Sequence, residues 1–165
     1  RQNEALSILE DALGANDPSV AVAVVAVGET HLAMHEPAAA LPFIARALAI
    51  DEAAVGPDHP DVAWDLNSLA AVHNDLEQWE EARRAAERAM VIRAAHLTPD
   101  RVGQSRVELA RALVGLGRLD EARAAARQAI VEYAAEPDTQ AKIQAWLDEL
   151  DARDPPGLTP RPVAG

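Results

Sequence analysis

Residues 47–62 read ALAIDEAAVGPDHPDV, and residues 5–20, placed 42 positions upstream, read ALSILEDALGANDPSV. Eight of the 16 aligned positions are identical, including the glycine pair Gly14 and Gly56. A sequence that matches itself at a fixed spacing of about 20–50 residues is typical of arrays in which one supersecondary unit stacks on copies of itself. The match therefore predicts a repeat protein, and it favours a binding surface over an active site.

The repeat continues to about residue 137. A third copy lies 40 residues beyond the second, where Leu69 and Leu76 recur as Leu109 and Leu116. In each copy the apolar residues recur at helical spacing in two segments. These segments predict helices at about 18–34 and 37–55, 60–75 and 78–96, and 100–116 and 119–135. Pro42 lies beyond the first turn of its segment, so it is expected to bend that helix or to delay its start.

The composition excludes several classes of protein. The 165-residue chain has a formal net charge of −12, which argues against a nucleic-acid partner because phosphate binding needs a positive surface. There is no cysteine, and the longest apolar run, residues 20–27, is too short to cross a bilayer. The charge favours a basic or neutral partner, and we expect a cytoplasmic protein without a membrane segment. Arg83 and Arg123 each follow a carboxylate by three positions, which predicts ion pairs within their helices.

Small residues recur at fixed positions in every copy of the repeat. They are Gly28, Ala70 and Ala110 in the first helix, and Ala40, Ala82, Ala122, Ala47, Ala89 and Ala129 in the second. This pattern resembles the tetratricopeptide repeat, a helix-turn-helix unit of about 34 residues. The spacing of 42, the linker GPDHPDV at 56–62 and the helix opening LNSLA at 66–70 resemble the kinesin-light-chain type of this repeat. The resemblance covers roughly residues 1–137, although Ser68 stands where that type usually has a second asparagine.

The resemblance implies an all-α fold, a right-handed superhelical α-α solenoid of helical hairpins with a C-terminal capping helix. The expected units are the second helix of a truncated preceding repeat, three repeats, the capping helix and a Pro-rich tail that is extended or disordered. Their bounds are 1–15, 16–57, 58–99, 100–137, 138–151 and 152–165. Because the chain opens within a unit and is rich in Ala, Arg and Asp, we expect the C-terminal part of a larger bacterial protein.

The resemblance also implies that the first helix of each unit lines a concave groove. Six residues of these helices are candidates for contact with a partner: Asn67, Trp64, Asn74, Glu29, Gln104 and Arg111. Asn67 stands where the repeat type itself has a groove asparagine, and an amide can both donate to and accept from a peptide backbone. Trp64 offers a large, rigid contact with a polar edge. The alternative for Asn67 is a hydrogen bond to a neighbouring helix and nothing more.

Other patterns have structural interpretations. His31 and His35 are one helical turn apart, a spacing that can bind a metal, but His73 repeats the position of His31, which favours packing. Trp79 and Trp146 fall on apolar stripes and are expected in the core and in the cap. The groove positions lack the lysines of the family's carboxylate clamp, and no nucleophile elbow, phosphate loop or dinucleotide fingerprint occurs. We therefore expect no metal, no cofactor and no catalytic residue.

The sequence thus predicts a non-catalytic protein–protein interaction module that holds a peptide or helix of a partner in its concave groove. Three alternatives remain open. One is a structural or self-associating segment, in which a homo-oligomer buries the apolar residues near Leu6, Leu9 and Leu13. Another is the regulatory or sensor arm of a larger bacterial signalling protein, such as a Ser/Thr kinase or a nucleotide-switch ATPase. In the last, the Pro-rich residues 154–165 occupy the groove in place of a partner.

Overall fold

The fold is a succession of helices joined by short turns. The structure, a computed structural model, describes residues 2–154, and side-chain surroundings from residue 6 onward. Within residues 2–154 there are eight helices and no strand, which confirms the predicted all-α repeat array. The helices are α1 (Gln2–Leu13), α2 (Pro18–Ala33), α3 (Pro37–Val55), α4 (Pro60–Asp75), α5 (Trp79–His96), α6 (Pro99–Gly115), α7 (Leu119–Glu132) and α8 (Pro137–Arg153). Most of the predicted Pro-rich tail lies outside the described residues.

Proline marks the start of five of these helices, namely α2, α3, α4, α6 and α8. A proline at the first helical position lacks an N–H that would have no partner there, and its φ suits the helix. Two of these starts are also capped by a side chain. Asp17 accepts from the N–H of Ser19 at 2.8 Å, and His59 accepts from the N–H of Asp61 at 3.3 Å. Because α3 begins at its first proline and continues through Pro42, Pro42 does not delay the start of the helix.

The turn inside each hairpin has the same backbone geometry. His35, Glu77 and Gly117 adopt the left-handed conformation in the three turns, with φ of 59°, 59° and 72°. In each turn the N–H of the next residue donates to the carbonyl five residues earlier, at 2.8–2.9 Å. This bond closes the C-terminus of the preceding helix. Only glycine adopts the conformation without a steric cost from a β-carbon, so the third turn has the residue best suited to it.

Glu77→Gly is therefore expected to raise the free energy of unfolding by about 0.5–1 kcal/mol, because it removes the cost of a left-handed residue with a β-carbon. The reciprocal change Gly117→Glu should lower the same quantity by a similar amount. Both positions are exposed, so neither change disturbs packing. Urea unfolding of the two variants checks the pair. Shifts of equal sign would contradict the assignment of strain to these turns.

Close approach of the helices depends on small residues. A β-carbon on Gly28 of α2 would lie 2.6 Å from Cγ1 of Ile44 on α3, and one on Gly115 of α6 would lie 2.1 Å from Cδ2 of Trp79 on α5. Neither position has room for a methyl group unless its neighbour moves. The alanines that the repeat pattern singles out in the second helices are all 0% exposed: Ala40, Ala47, Ala82, Ala89, Ala122 and Ala129.

One ion pair between repeats recurs with the 42-residue period. Arg46 on α3 contacts Glu10 on α1 at 2.5 Å, and Arg88 on α5 contacts Glu52 on α3 at 2.5 Å. Each arginine also donates to a carbonyl of the linker that follows its partner's helix, at 2.8 Å. The second helices therefore lie side by side in a regular order along the array.

Helix α8 covers the last repeat. Ile143 and Leu147 are buried against α6 and α7, and Trp146 packs on the same apolar cluster, as predicted for the cap. Arg123 on α7 is 3% exposed and contacts Asp151 of α8 at 2.7 Å, in addition to the predicted carboxylate of its own helix at 3.1 Å. Since α8 ends at Arg153, residues 152 and 153 extend the capping helix beyond its predicted end.

Candidate partner-binding face

Trp64 is an exposed aromatic side chain on the surface formed by α2, α4 and α6, which we call the first-helix face. The indole is 42% exposed, and its Nε1 donates to Oε1 of Glu29 on α2 at 3.3 Å. Ser68 donates to the same oxygen at 3.1 Å. The guanidinium groups of Arg101 and Arg93 lie 5.3 Å and 5.8 Å from the centre of the ring, within the range of cation–π attraction. These contacts hold the exposed ring in one orientation.

Asn67 is bonded to the neighbouring repeat. Its Oδ1 accepts from Oγ of Ser105 at 2.9 Å and from Nη1 of Arg93 at 3.4 Å. Arg93 is 1% exposed and also donates to Oε1 of Gln104 at 2.9 Å and to the carbonyl of Arg101 at 2.7 Å. Burial, followed by the charge of Arg101, lowers the pKa of Arg93 to about 10. Arg93 is therefore still a cation at neutral pH, and it joins α4, α5 and α6 under the first-helix face.

Asn74 and Arg111 bridge α4 and α6 further along the same face. Asn74 is 3% exposed, and its Nδ2 donates to the carbonyl and to Oε2 of Glu108 at 3.0 Å and 2.9 Å. Arg111 donates to Oε2 of Glu108 at 2.9 Å and to Oδ1 of Asp75 at 2.6 Å. Burial opposes the charge of Arg111, but the two carboxylates outweigh it and raise the pKa of the guanidinium. The bridge fixes the spacing of the two helices.

The six predicted site residues thus differ in exposure. Trp64 and Glu29 are exposed, Asn67, Gln104 and Arg111 are partly exposed, and Asn74 is buried. The predicted alternative for Asn67, a hydrogen bond to a neighbouring helix, is present in the structure. Contact with a partner stays a prediction for all six. The sequence reasoning missed Arg93, because nothing in its local pattern shows that it reaches across to α4 and α6.

A cavity of about 260 Å³ adjoins the C-terminal end of the face. Its lining is mainly apolar and comes from α6, α7 and α8. The residues are Val107, Ala110, Arg111, Ala126, Lys142, Ile143 and Trp146. The sequence reasoning assigned Trp146 to the cap alone, and the cavity was missed because it forms only where three helices meet.

Two carboxyl groups, that of the buried Asp65 and that of the partly exposed Asp51, meet where α3 packs on α4. Asp65 is 2% exposed, and no N–H or O–H group of the described residues reaches its Oδ2. Burial, followed by the charge of Asp51 on α3, raises the pKa of Asp65 to about 8. Asp65 therefore holds a proton at neutral pH and can donate it in a hydrogen bond to Asp51. The sequence reasoning missed this pair, since the two residues lie on different helices.

His31, one of the two histidines considered for a metal, and His73 at the equivalent position both have structural contacts. Nδ1 of His31 lies 2.8 Å from Oε2 of Glu36, and the ring stacks on Phe43 with centres 5.6 Å apart. Nδ1 of His73 lies 2.7 Å from Oε1 of Gln78 in the equivalent turn. The repeated position thus has a repeated packing role. Across residues 6–154 no group of three or more His, Asp or Glu side chains is arranged to hold a metal ion.

The repeat geometry agrees with a comparison to known families. The profile described as tetratricopeptide repeat matches residues 19–95 and 65–130. The chain belongs to the tetratricopeptide repeat family. Tetratricopeptide repeats generally mediate protein–protein interactions. No match was found among curated proteins. Within residues 2–154 the tetratricopeptide repeat chain has no helix that combines the length and the apolar character of a membrane span.

Solved tetratricopeptide repeat structures of the kinesin-light-chain type share the fold. BtubC (BKLC) from P. vanneervenii gives a TM-score of 0.70 at 18% identity, and the match covers 99% of this chain and 59% of that chain. A putative kinesin light chain of Podosopora anserina with nearly identical TPR-like repeats gives a TM-score of 0.70 at 18% identity. That match covers 94% of this chain and 86% of that chain. A single-substitution variant of that protein gives a TM-score of 0.71 at 18% identity, and the match covers 92% of this chain and 84% of that chain. The predicted kinesin-light-chain resemblance is confirmed for the fold.

Proposed function

We propose that this tetratricopeptide repeat array is a non-catalytic module that holds a peptide or helix of a partner protein. In this proposal the first-helix face is the predicted concave groove, and the partner binds there. The supporting observation is a pair of exposed apolar side chains at equivalent positions. Val22 and Trp64, 42 residues apart, are 68% and 42% exposed on α2 and α4. Exposed aromatic side chains held in place by polar neighbours are frequent anchors of protein interfaces.

Free amide groups near these anchors also suit a peptide. Asn67 and Gln104 use their side-chain oxygens within the protein, whereas Nδ2 of Asn67 and Nε2 of Gln104 donate to no described residue. Both can donate to backbone carbonyls of a bound segment. In the proposal Trp64, Glu29 and Arg111 contact side chains of the partner, while Asn74 holds α4 and α6 at the required spacing.

Self-association is a second candidate, favoured by two other exposed residues. Val91 and Val131, 40 residues apart on α5 and α7, are 72% and 64% exposed. They lie on second helices, so a second copy would dock on a different surface from the partner segment. Light scattering of the wild type and of Val91→Ser with Val131→Ser separates the two candidates. A cytoplasmic location stays part of the proposal, and a role as the regulatory or sensor arm of a larger bacterial signalling protein stays an alternative to it.

Trp64→Ala is expected to weaken binding of a partner segment about tenfold or more, because truncating a central aromatic anchor removes a large share of interface energy. The probe is a segment selected against the protein from a random-peptide library, and the measurement is fluorescence anisotropy. Val91→Ala is the matched control, since it removes an exposed apolar side chain from a second helix. Its expected effect is less than twofold. A larger loss with Val91→Ala than with Trp64→Ala would contradict the proposal.

A further inference from the structure

The pair formed by the buried Asp65 and the partly exposed Asp51 has no lysine or arginine partner in the described part of the chain. The charged groups that face it come from the neighbouring elements. Glu29 on α2 and Asp61 at the start of α4 are both acidic, and His59 in the preceding linker faces Asp51. Burying carboxyl groups next to further carboxylates costs free energy unless a proton or a cation compensates them. In the free protein a proton on Asp65 does so.

The next junction along the array has a guanidinium at the equivalent place. The second helices repeat at a spacing of 42 residues, which places Arg93 on α5 at the position of Asp51 on α3. The first helices of the last two repeats are offset by 40 residues, which places Ser105 at the position of Asp65. Arg93 is 1% exposed at the junction of α5 and α6. The repeat geometry therefore accommodates a guanidinium at this position.

The offset between repeats also identifies the residues that surround the position equivalent to Arg93 at the α3–α4 junction. On α6 the contacts of Arg93 are the side chain of Gln104 and the carbonyl of Arg101. Subtracting 40 places Trp64 and Asp61 at these positions. Trp64 is 42% exposed and the Asp61 side chain is 67% exposed. Trp64 and Asp61 are thus the exposed neighbours of the acid pair, since Trp64 adjoins Asp65 in the chain and the charge of Asp61 acts on both Asp51 and Asp65.

We propose that the α3–α4 junction is a subsite for an arginine side chain of the partner, with its guanidinium between Asp51 and Asp65 and beside Trp64 and Asp61. This inference rests on the proposed function and adds the chemistry of one partner residue. A guanidinium forms paired hydrogen bonds with carboxylates and stacks on aromatic rings, so it suits this set of groups better than a compact ammonium does. It also agrees with the basic partner expected from the net charge.

Arginine binding at this subsite displaces a proton. At pH 7 the pKa of about 8 keeps most Asp65 carboxyl groups protonated in the free protein. A guanidinium beside Asp65 favours the carboxylate, and the proton passes to the buffer as the ion pair forms. Binding at pH 7 is therefore expected to release close to one proton, and binding at pH 9, where the free carboxyl is already ionised, to release almost none.

The test uses segments selected from the random-peptide library, each made also with citrulline, which is neutral and nearly the same shape, in place of arginine. Isothermal titration calorimetry at pH 7 in two buffers of different ionisation enthalpy measures affinity and proton release together. We expect the citrulline version to bind about tenfold or more weakly and to release no proton. Asp65→Asn should abolish both the arginine preference and the proton release. Asp148→Asn on α8 is the matched control of equal charge, and it should preserve both.

Three outcomes would overturn the inference. Selected segments that bind the first-helix face without an arginine, or that bind equally well with citrulline, would show that the arginine subsite does not exist. Either result would leave the proposed function intact. If Asp148→Asn loses the arginine preference as Asp65→Asn does, the preference arises from the overall charge of the protein and not from the subsite. Selected segments that bind only the second helices would contradict both this inference and the proposed function.

Discussion

Asp65→Asn is expected to raise the free energy of unfolding by about 2–4 kcal/mol at pH 9 and by less than about 1 kcal/mol at pH 5. The pKa of Asp65 is about 8 in the folded chain, against a usual value of 3.8, because of burial and the charge of Asp51. The folded chain therefore binds a proton more tightly than the unfolded chain. The contribution of Asp65 to stability is greatest below pH 4 and is lost as the pH rises toward 8.

Asparagine cannot ionise, and its amide can still donate to Asp51, so the variant keeps the hydrogen bond without the pH-dependent loss. Urea unfolding at several pH values measures the effect. Asp148→Asn serves again as the control, since it removes an exposed carboxylate of α8, and it should change stability by no more than about 0.5 kcal/mol at either pH. A stability gain for Asp65→Asn that is equal at pH 5 and pH 9 would show that Asp65 does not hold a proton in the folded chain.

Ile44→Ala is expected to lower the free energy of unfolding by about 2–5 kcal/mol. Ile44 on α3 is 0% exposed, and its Cγ1 lies 2.6 Å from the place that a β-carbon on Gly28 of α2 would occupy. Truncation leaves a cavity that the closely packed helices cannot fill by collapsing. Ile8→Ala is the matched control, because Ile8 is 65% exposed on α1, and it should cost less than about 1 kcal/mol.

A second substitution makes this prediction specific to the contact. Gly28→Ala alone should destabilise the fold by about 1–3 kcal/mol, because the added methyl group meets Ile44. Together with Ile44→Ala the added methyl group occupies part of the cavity, so the double variant should lose less than the sum of the two single losses. Thermal or urea unfolding of the three variants measures this coupling. Strict additivity would contradict the close contact of α2 and α3 at this point.

Much of the fold could be predicted from the sequence, because the information that specifies a repeat is local and is written several times. The alanine at position 40 recurs at 82 and 122, and all three are fully buried as a close-packed helical pair requires. The prolines at 18 and 60 predict helix starts, and α2 and α4 begin there. The end of the capping helix was less predictable, since Arg153 belongs to a polar stretch without a periodic apolar pattern.

The candidate site was harder to predict, because it depends on side chains that meet across repeats. The repeat pattern places Trp64 and Asn67 on one face of α4, and in the structure Trp64 contacts Glu29 on α2 while Asn67 contacts Ser105 on α6. It does not show that Arg93 reaches Asn67, or that Asp51 and Asp65 share a buried junction. Asp51 and Arg93 occupy equivalent positions in successive repeats but carry opposite charges, so the repeat pattern does not predict their contacts. Only when the contacts of Arg93 at the α5–α6 junction are known can the equivalent positions at the α3–α4 junction be identified.

The central claim is that the first-helix face holds the partner. Its most direct test is a map of backbone amide chemical-shift changes when a selected segment is titrated into the protein. The account predicts that the largest changes fall on α2, α4 and α6 around Val22, Trp64 and Gln104. Changes concentrated instead on α5 and α7 around Val91 and Val131, with the first helices unaffected, would contradict it.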